Sequence, residues 1–144
     1  MQIYRQTNNS AGADLSASEE VVIYAGEIVL VPTGYYLDNT TGGSFCGGVF
    51  SRVFNEAVTN SNIFYLLAAR SSLAYKKGLL LANGVGIIDS DYKDEIKVVL
   101  YNSTKETVII SKGERIAQLI PTNYLPIFPS LDNERSGGFG STGE

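Results

Sequence analysis

Residues 135–143 read Arg-Ser-Gly-Gly-Phe-Gly-Ser-Thr-Gly. So much glycine cannot bury apolar surface, so this tail is expected to be floppy on its own. Its few side chains are chemically pointed. Arg135 offers a fork of donors for phosphate, and Phe139 offers a face for a flat ring. The bare amides around Gly140, with the hydroxyls of Ser141 and Thr142, can wrap anionic oxygens. The set suits a nucleotide; the plain alternative is a disordered tail.

Four upstream segments carry related chemistry. Arg70, Ser71 and Ser72 can donate several hydrogen bonds to phosphate oxygens, or Ser71 can simply cap a helix. Residues 83–96 read as strand, acidic turn and strand, which predicts a β-hairpin continuing along residues 97–101. Alternation would put Asn83, Val85, Ile87 and Asp89 on one side. Gly84 and Gly86 would let a planar base approach the backbone, whose groups, with the Asn83 amide, could read its edge. Asp89 could take a proton from water, and Tyr92 could lie flat under a sugar. Otherwise this is an ordinary hairpin with a solvated acidic turn. Residues 11–17 place Asp14 among small residues, where a turn between strands is the ordinary reading. Residues 113–120 open with a turn and lead into a strand with Ile116, Gln118 and Ile120 on one face. Gln118 then either faces inward and needs a polar partner or a ligand, or faces water.

The elements that must hold these residues are short. β-branched runs recur at residues 21–24, 28–32, 63–67, 79–81, 96–100, 107–110 and 116–120, punctuated by glycine and asparagine, which predicts an all-β sandwich or barrel. Residues 39–62 interrupt the pattern as a loop insertion. Within it, apolar residues at 49, 50, 53, 54, 57 and 58 share one helical face, which predicts a short amphipathic helix over residues 49–58. That helix would cover a barrel edge or form a surface for a protein partner.

Composition narrows the chemistry. At 144 residues the chain is sized for one domain. It has no histidine, which removes His-based triads and His-ligated metals and leaves a carboxylate as the natural general base. Cys46 is the single cysteine, so no intrachain disulfide forms and a reducing compartment fits. The net charge of −4 argues against a nonspecific nucleic-acid surface. No run approaches the roughly 18 apolar residues of a membrane span, and no signal peptide is evident, so a soluble, intracellular protein is expected.

Together and in order, the five segments resemble the five motifs of the trimeric deoxyuridine triphosphatases (dUTPases): residues 11–17, 70–73, 83–92, 113–120 and 135–143. The resemblance implies a jelly-roll or β-barrel subunit in a homotrimer whose active sites are shared between chains. It implies Mg²⁺-assisted hydrolysis of dUTP to dUMP and pyrophosphate, limiting uracil in DNA and supplying dUMP for dTMP synthesis. Residue by residue, Asp89 would activate the attacking water and Tyr92 would pack under the deoxyribose. Asn83 and the backbone through Gly86 would bind uracil. Arg70, Ser71, Ser72 and Gln118 would contact phosphates. Phe139 and Gly140 would cover the base, and Arg135, Ser141 and Thr142 would close on the phosphates. Mg²⁺ would be held by the triphosphate, with Asp14 supporting its water shell or the site's architecture. Three features depart from the family pattern: Asp94 stands where glycine is usual, Arg135 precedes Phe139 by four residues instead of five, and residues 39–62 are inserted. The related dCTP deaminases carry a glutamate at the position of Val99, so deamination lacks its proton carrier here. A nucleotide-binding or signalling trimer of weak activity is the alternative to a working dUTPase.

Overall fold

The long strands Ile63–Ala69 and Ile96–Asn102 turn alternate side chains into one apolar core, and that alternation decides which residues are left for the site. The computed structural model describes residues 3, 5–38, 44–45 and 62–130. In chain order the elements are β1 (Ala13–Ser16), β2 (Val21–Ile23), β3 (Ile28–Tyr35), β4 (Leu37–Asp38), β5 (Ser44–Phe45) and β6 (Ile63–Ala69). A short helix α1 (Ser71–Lys77) follows, then β7 (Leu79–Leu81), β8 (Gly86–Asp89), β9 (Ile96–Asn102), β10 (Val108–Ile110) and β11 (Arg115–Asn123). All the strand runs expected from sequence within the described residues form strands.

The strands pair antiparallel in jelly-roll-like sheets of order β1-β11-β6-β8 and β3-β9-β7, with two small ribbons, β10-β2 and β4-β5. Ile63, Tyr65 and Leu67 of β6 face inward, as do Ile96, Val98 and Leu100 of β9, and both sets join one core cluster. Each fully buried aliphatic side chain of this kind contributes about 1.5–3 kcal/mol. Burial of the Tyr65 phenol pushes its pKa above the ordinary 10.0. No helix among the described residues is long and apolar enough to cross a membrane.

One expectation is corrected, and two of the plain alternatives do not hold. The hairpin over residues 83–101 does not form: β8 pairs with β6, whereas β9 pairs with β3 and β7. The connection from Asp89 to Ile96 is too long for a tight two-residue turn, and it crosses from one sheet to the other. This split lets β9 face β6 across the core. Second, residues 13–16 form a strand and not a turn. Leu15 is buried and Ala13 and Ala17 are small, so the alternation is present but muted. Third, Ser71 does not cap a helix. Arg70 is the N-cap, no side-chain bond caps the helix, and Gly78 closes it. The expected helix at residues 49–58 lies outside the described residues, as do all of the insertion but residues 44, 45 and 62 and the tail at 132–144.

Asn102 is the one fully buried polar side chain among the large core residues of the described chain. Its Nδ2 donates to the carbonyls of Ile23 (3.0 Å) and Glu106 (2.8 Å). Its Oδ1 accepts from the Thr104 N–H (3.0 Å) and hydroxyl (2.8 Å). The amide therefore closes the turn between β9 and β10 and ties it to β2. Asn102→Ala leaves these groups unpaired, and should lower stability by about 2–4 kcal/mol. Urea denaturation at fixed protein concentration checks this, and a loss under about 1 kcal/mol would contradict it.

Candidate functional site

Cross-strand register assembles the first half of the site. Asp14 on β1 lies opposite Gln118 on β11, which lies opposite Ala68 on β6, so the three share one face. That is the outward face, because the adjacent Leu15, Ala117 and Leu67 are buried. Two residues beyond Ala68 the chain reaches Arg70, and α1 begins with the exposed Ser71 and Ser72.

Asp14 is the hub of this half, with its side chain 11% exposed. Its Oδ1 lies 3.5 Å from Arg70 Nε, and its Oδ2 accepts from Arg115 Nη1 at 3.2 Å. Arg115 was not among the residues singled out from sequence. A β-bulge brings it here: Leu15 faces Ala117, but Ser16 faces Arg115, so Ile116 is the extra residue. The bulge also overturns the expected sharing of a face by Ile116, Gln118 and Ile120. Ile116 turns inward beside Ala117, and Gln118, half-buried, looks out with Asp14. A brace supports the arrangement from behind. Lys77 Nζ at the end of α1 donates to Glu114 at 2.7 Å and to the Ile109 carbonyl at 2.8 Å. Glu114 Oε2 also accepts from the Ser111 N–H at 3.1 Å, so α1 is tied to the turn that launches β11.

The second half surrounds Asp89. Its strand partner is Phe64, and the same outward side of β8 carries Ile87 and, just before the strand, Val85, both exposed. An open concavity of about 600 Å³ is lined by Ile63, Phe64, Ile87, Asp89, Ser90, Asp91 and Tyr124. Phe64 and Tyr124 meet edge to face, centroids 6.2 Å apart. Sequence reasoning missed this aromatic pair, because Tyr124 lies beyond the recognisable motif. Tyr92 is 5% exposed and belongs to the core, so its ring has little free face. Asn83 is exposed, in the turn that links β7 to β8. Gly86 is buried, and a Cβ there would sit 2.9 Å from the Leu67 Cβ, so glycine lets β8 close on β6.

The two halves do not meet within one chain. From Asp14 to Asp89 is three strand spacings across the sheet and four residues along β6, a diagonal of about 20 Å. The Arg70 guanidinium is drawn toward Asp14, away from β8. Arg135, Phe139, Gly140, Ser141 and Thr142 lie outside the described residues.

Two guanidiniums share one carboxylate, so Asp14→Ala removes both acceptor oxygens and leaves like charges together. The substitution should lower stability by about 1–3 kcal/mol. Added salt should return part of the loss by screening the two arginines. Thermal unfolding across a salt series measures both effects. A loss under about 0.5 kcal/mol that salt leaves unchanged would contradict this role of Asp14, since effects that small are ordinary at surfaces.

The dUTPase family model matches residues 56–143. A deoxyuridine 5'-triphosphate nucleotidohydrolase from Desulfitobacterium hafniense is 38% identical over 95% of this chain and 83% of its own length. The enzyme of that name from Rickettsia felis is 43% identical over 95% of this chain and 84% of its own. Among solved structures, the dUTPase from Streptococcus mutans superposes with a TM-score of 0.68 at 32% identity, covering 88% of each chain.

Proposed function

Because the chain belongs to the dUTPase family, we propose that it hydrolyses dUTP to dUMP and pyrophosphate in a site shared between the chains of a homotrimer. The observation that carries the reading is the division of the site. The chain has an exposed carboxylate at one end of the sheet's outward face and a cationic, hydroxyl-bearing cluster at the other, about 20 Å apart. On a single chain the two groups are separated along the length of β6, and the Arg70 guanidinium is held at Asp14. A second copy supplying the missing half resolves this. Past β11 the chain continues with Leu125, Ile127 and Phe128 exposed, apolar surface that a neighbouring copy would cover.

In this reading Asp89 orients and deprotonates the water that attacks the α-phosphate. A carboxylate is a weak base at neutral pH, so positioning and charge stabilisation supply most of the rate. Arg70, Gln118, Ser71 and Ser72 hold the phosphate oxygens. Arg70 arrives with its guanidinium already oriented by Asp14, which limits the ordering needed when substrate binds. Asn83 and the backbone of the turn around it read the uracil edge, where polar groups distinguish uracil from cytosine. The buried Tyr92 fixes the floor under the deoxyribose. Arg135, Phe139, Gly140, Ser141 and Thr142 of the tail close over base and phosphates and exclude water.

Mg²⁺ would travel with the triphosphate, where it neutralises charge on the leaving pyrophosphate. The donor set fits that arrangement. The phosphate half carries two arginines against one aspartate, and both Asp14 oxygens already face guanidinium groups. Asp14 therefore serves the architecture of the site. Hydrolysis would keep uracil out of DNA and furnish dUMP as a precursor of dTMP.

Pyrophosphate release with Mg²⁺ from dUTP, beside dCTP, dTTP and UTP, tests the reading. Wild type should act on dUTP alone, and Asp89→Asn should slow turnover by about 10²–10⁴-fold. Binding of dUTP without pyrophosphate release would replace the hydrolase by a nucleotide-binding trimer.

A further inference from the structure

The corner that carries Asp89 is held at its far end by a contact with β3, the neighbour of β9 within its sheet. Along β3 the register to β9 slips: Pro32 faces Lys97, but Tyr35 faces Ile96, so Thr33 and Gly34 bulge out of the ladder. Gly34 has φ of 69°, a backbone conformation suited to glycine, and its N–H points away from the ladder. Glu95 takes that N–H: its Oε1 accepts at 2.7 Å. Buried Thr33 locks the same point, its hydroxyl donating to the Ile96 carbonyl and accepting from the Tyr35 N–H at 3.2 Å.

Glu95 is also tied to the catalytic end of the corner. The Tyr92 hydroxyl donates to the Glu95 carbonyl at 3.3 Å, and the Tyr92 N–H donates to the Asp89 carbonyl at 3.1 Å. A continuous path thus runs from the Gly34 amide through Glu95 and Tyr92 to Asp89. We propose that Glu95 is a positioning residue. By clamping the corner to the β3 bulge it sets where β9 begins, and so fixes the Tyr92 floor and the aim of Asp89. The role rests on the proposed dUTP hydrolysis and deepens it. Asp94 stands beside the clamp where the resembled motif has glycine, so this corner relies on a side-chain bond next to a residue that does not itself relax the backbone. The bond joins a carboxylate to an N–H, and such charge-assisted bonds are short and strong for their kind.

Two variants separate positioning from plain stability. Glu95→Ala removes the acceptor, and Glu95→Gln keeps an oxygen at the same reach. Hydrogen exchange reads the clamp without substrate. In Glu95→Ala, exchange at the Gly34 and Tyr92 amides should quicken by about tenfold or more while β6 and β11 amides hold their rates. Turnover reads the consequence: kcat for dUTP should fall about tenfold with KM within about twofold, and Glu95→Gln should restore both readouts. Unchanged exchange overturns the clamp. Faster exchange with unchanged kcat, or a kcat loss that Glu95→Gln does not restore, overturns the positioning role. Absence of dUTP turnover in wild type would count against the hydrolase reading, and the clamp would then stand or fall on the exchange rates.

Discussion

The extended geometry of β6 sets the terms for the rest of the molecule. Its odd-numbered residues, Ile63, Tyr65 and Leu67, are buried, so only Phe64, Leu66 and Ala68 face outward. It pairs along both edges, with β11 on one side and β8 on the other. Whatever β11 and β1 display near Ala68 is therefore separated from whatever β8 displays near Phe64 by the length of the strand. That spacing divides the acidic end from the cationic end, and no side-chain rotation closes a gap of about 20 Å. On the proposed function, such a chain would contribute half of a site to each of two neighbours, and assembly would supply what folding alone does not.

Each half is prepared in a different way. In the proposed reaction the phosphate half gathers positive charge before phosphate arrives, and two guanidiniums brought together would repel. Asp14 answers this by pairing with both, and the bulge at Ile116 delivers Arg115 to it. The Asp89 half needs a fixed direction instead of a compensated charge. It sits on a corner between two sheets, with Tyr92 sunk in the core and Glu95 tied to β3. In the proposed reaction neither device is a catalytic group; each would set the direction of groups that are.

Much of this was legible in the sequence, and the limits have physical causes. Strand positions could be read because β-branched runs alternate between punctuating glycines and asparagines, and Asp89 at a strand end was visible for the same reason. Strand partners could not be read, since residues 83–101 have the same alternation whether they form a ribbon or span two sheets. The inward turn of Ile116 depends on a bulge, which changes phase without changing composition. The close approach of Leu67 to Gly86 was not legible, because Leu67 lies nineteen positions earlier in the chain. Arg115 sat in plain view beside Gln118, and its proximity to Asp14 comes only from the pairing of β1 with β11. Glu95 and Gly34 are likewise joined by a register slip that local sequence does not announce.

The most direct test of the divided site uses two inactive chains together. Asp89→Asn and Arg70→Ala chains, each unable to hydrolyse dUTP alone, are unfolded, mixed in equal amounts, refolded and assayed. If each site takes its aspartate and its arginine from different chains, random mixing should restore about a quarter of wild-type turnover, since each donor is intact in half of the cases. A mixture as inactive as its parents, with mixed trimers demonstrated by mass spectrometry, would mean that one chain supplies both residues, and the site would not be divided between copies.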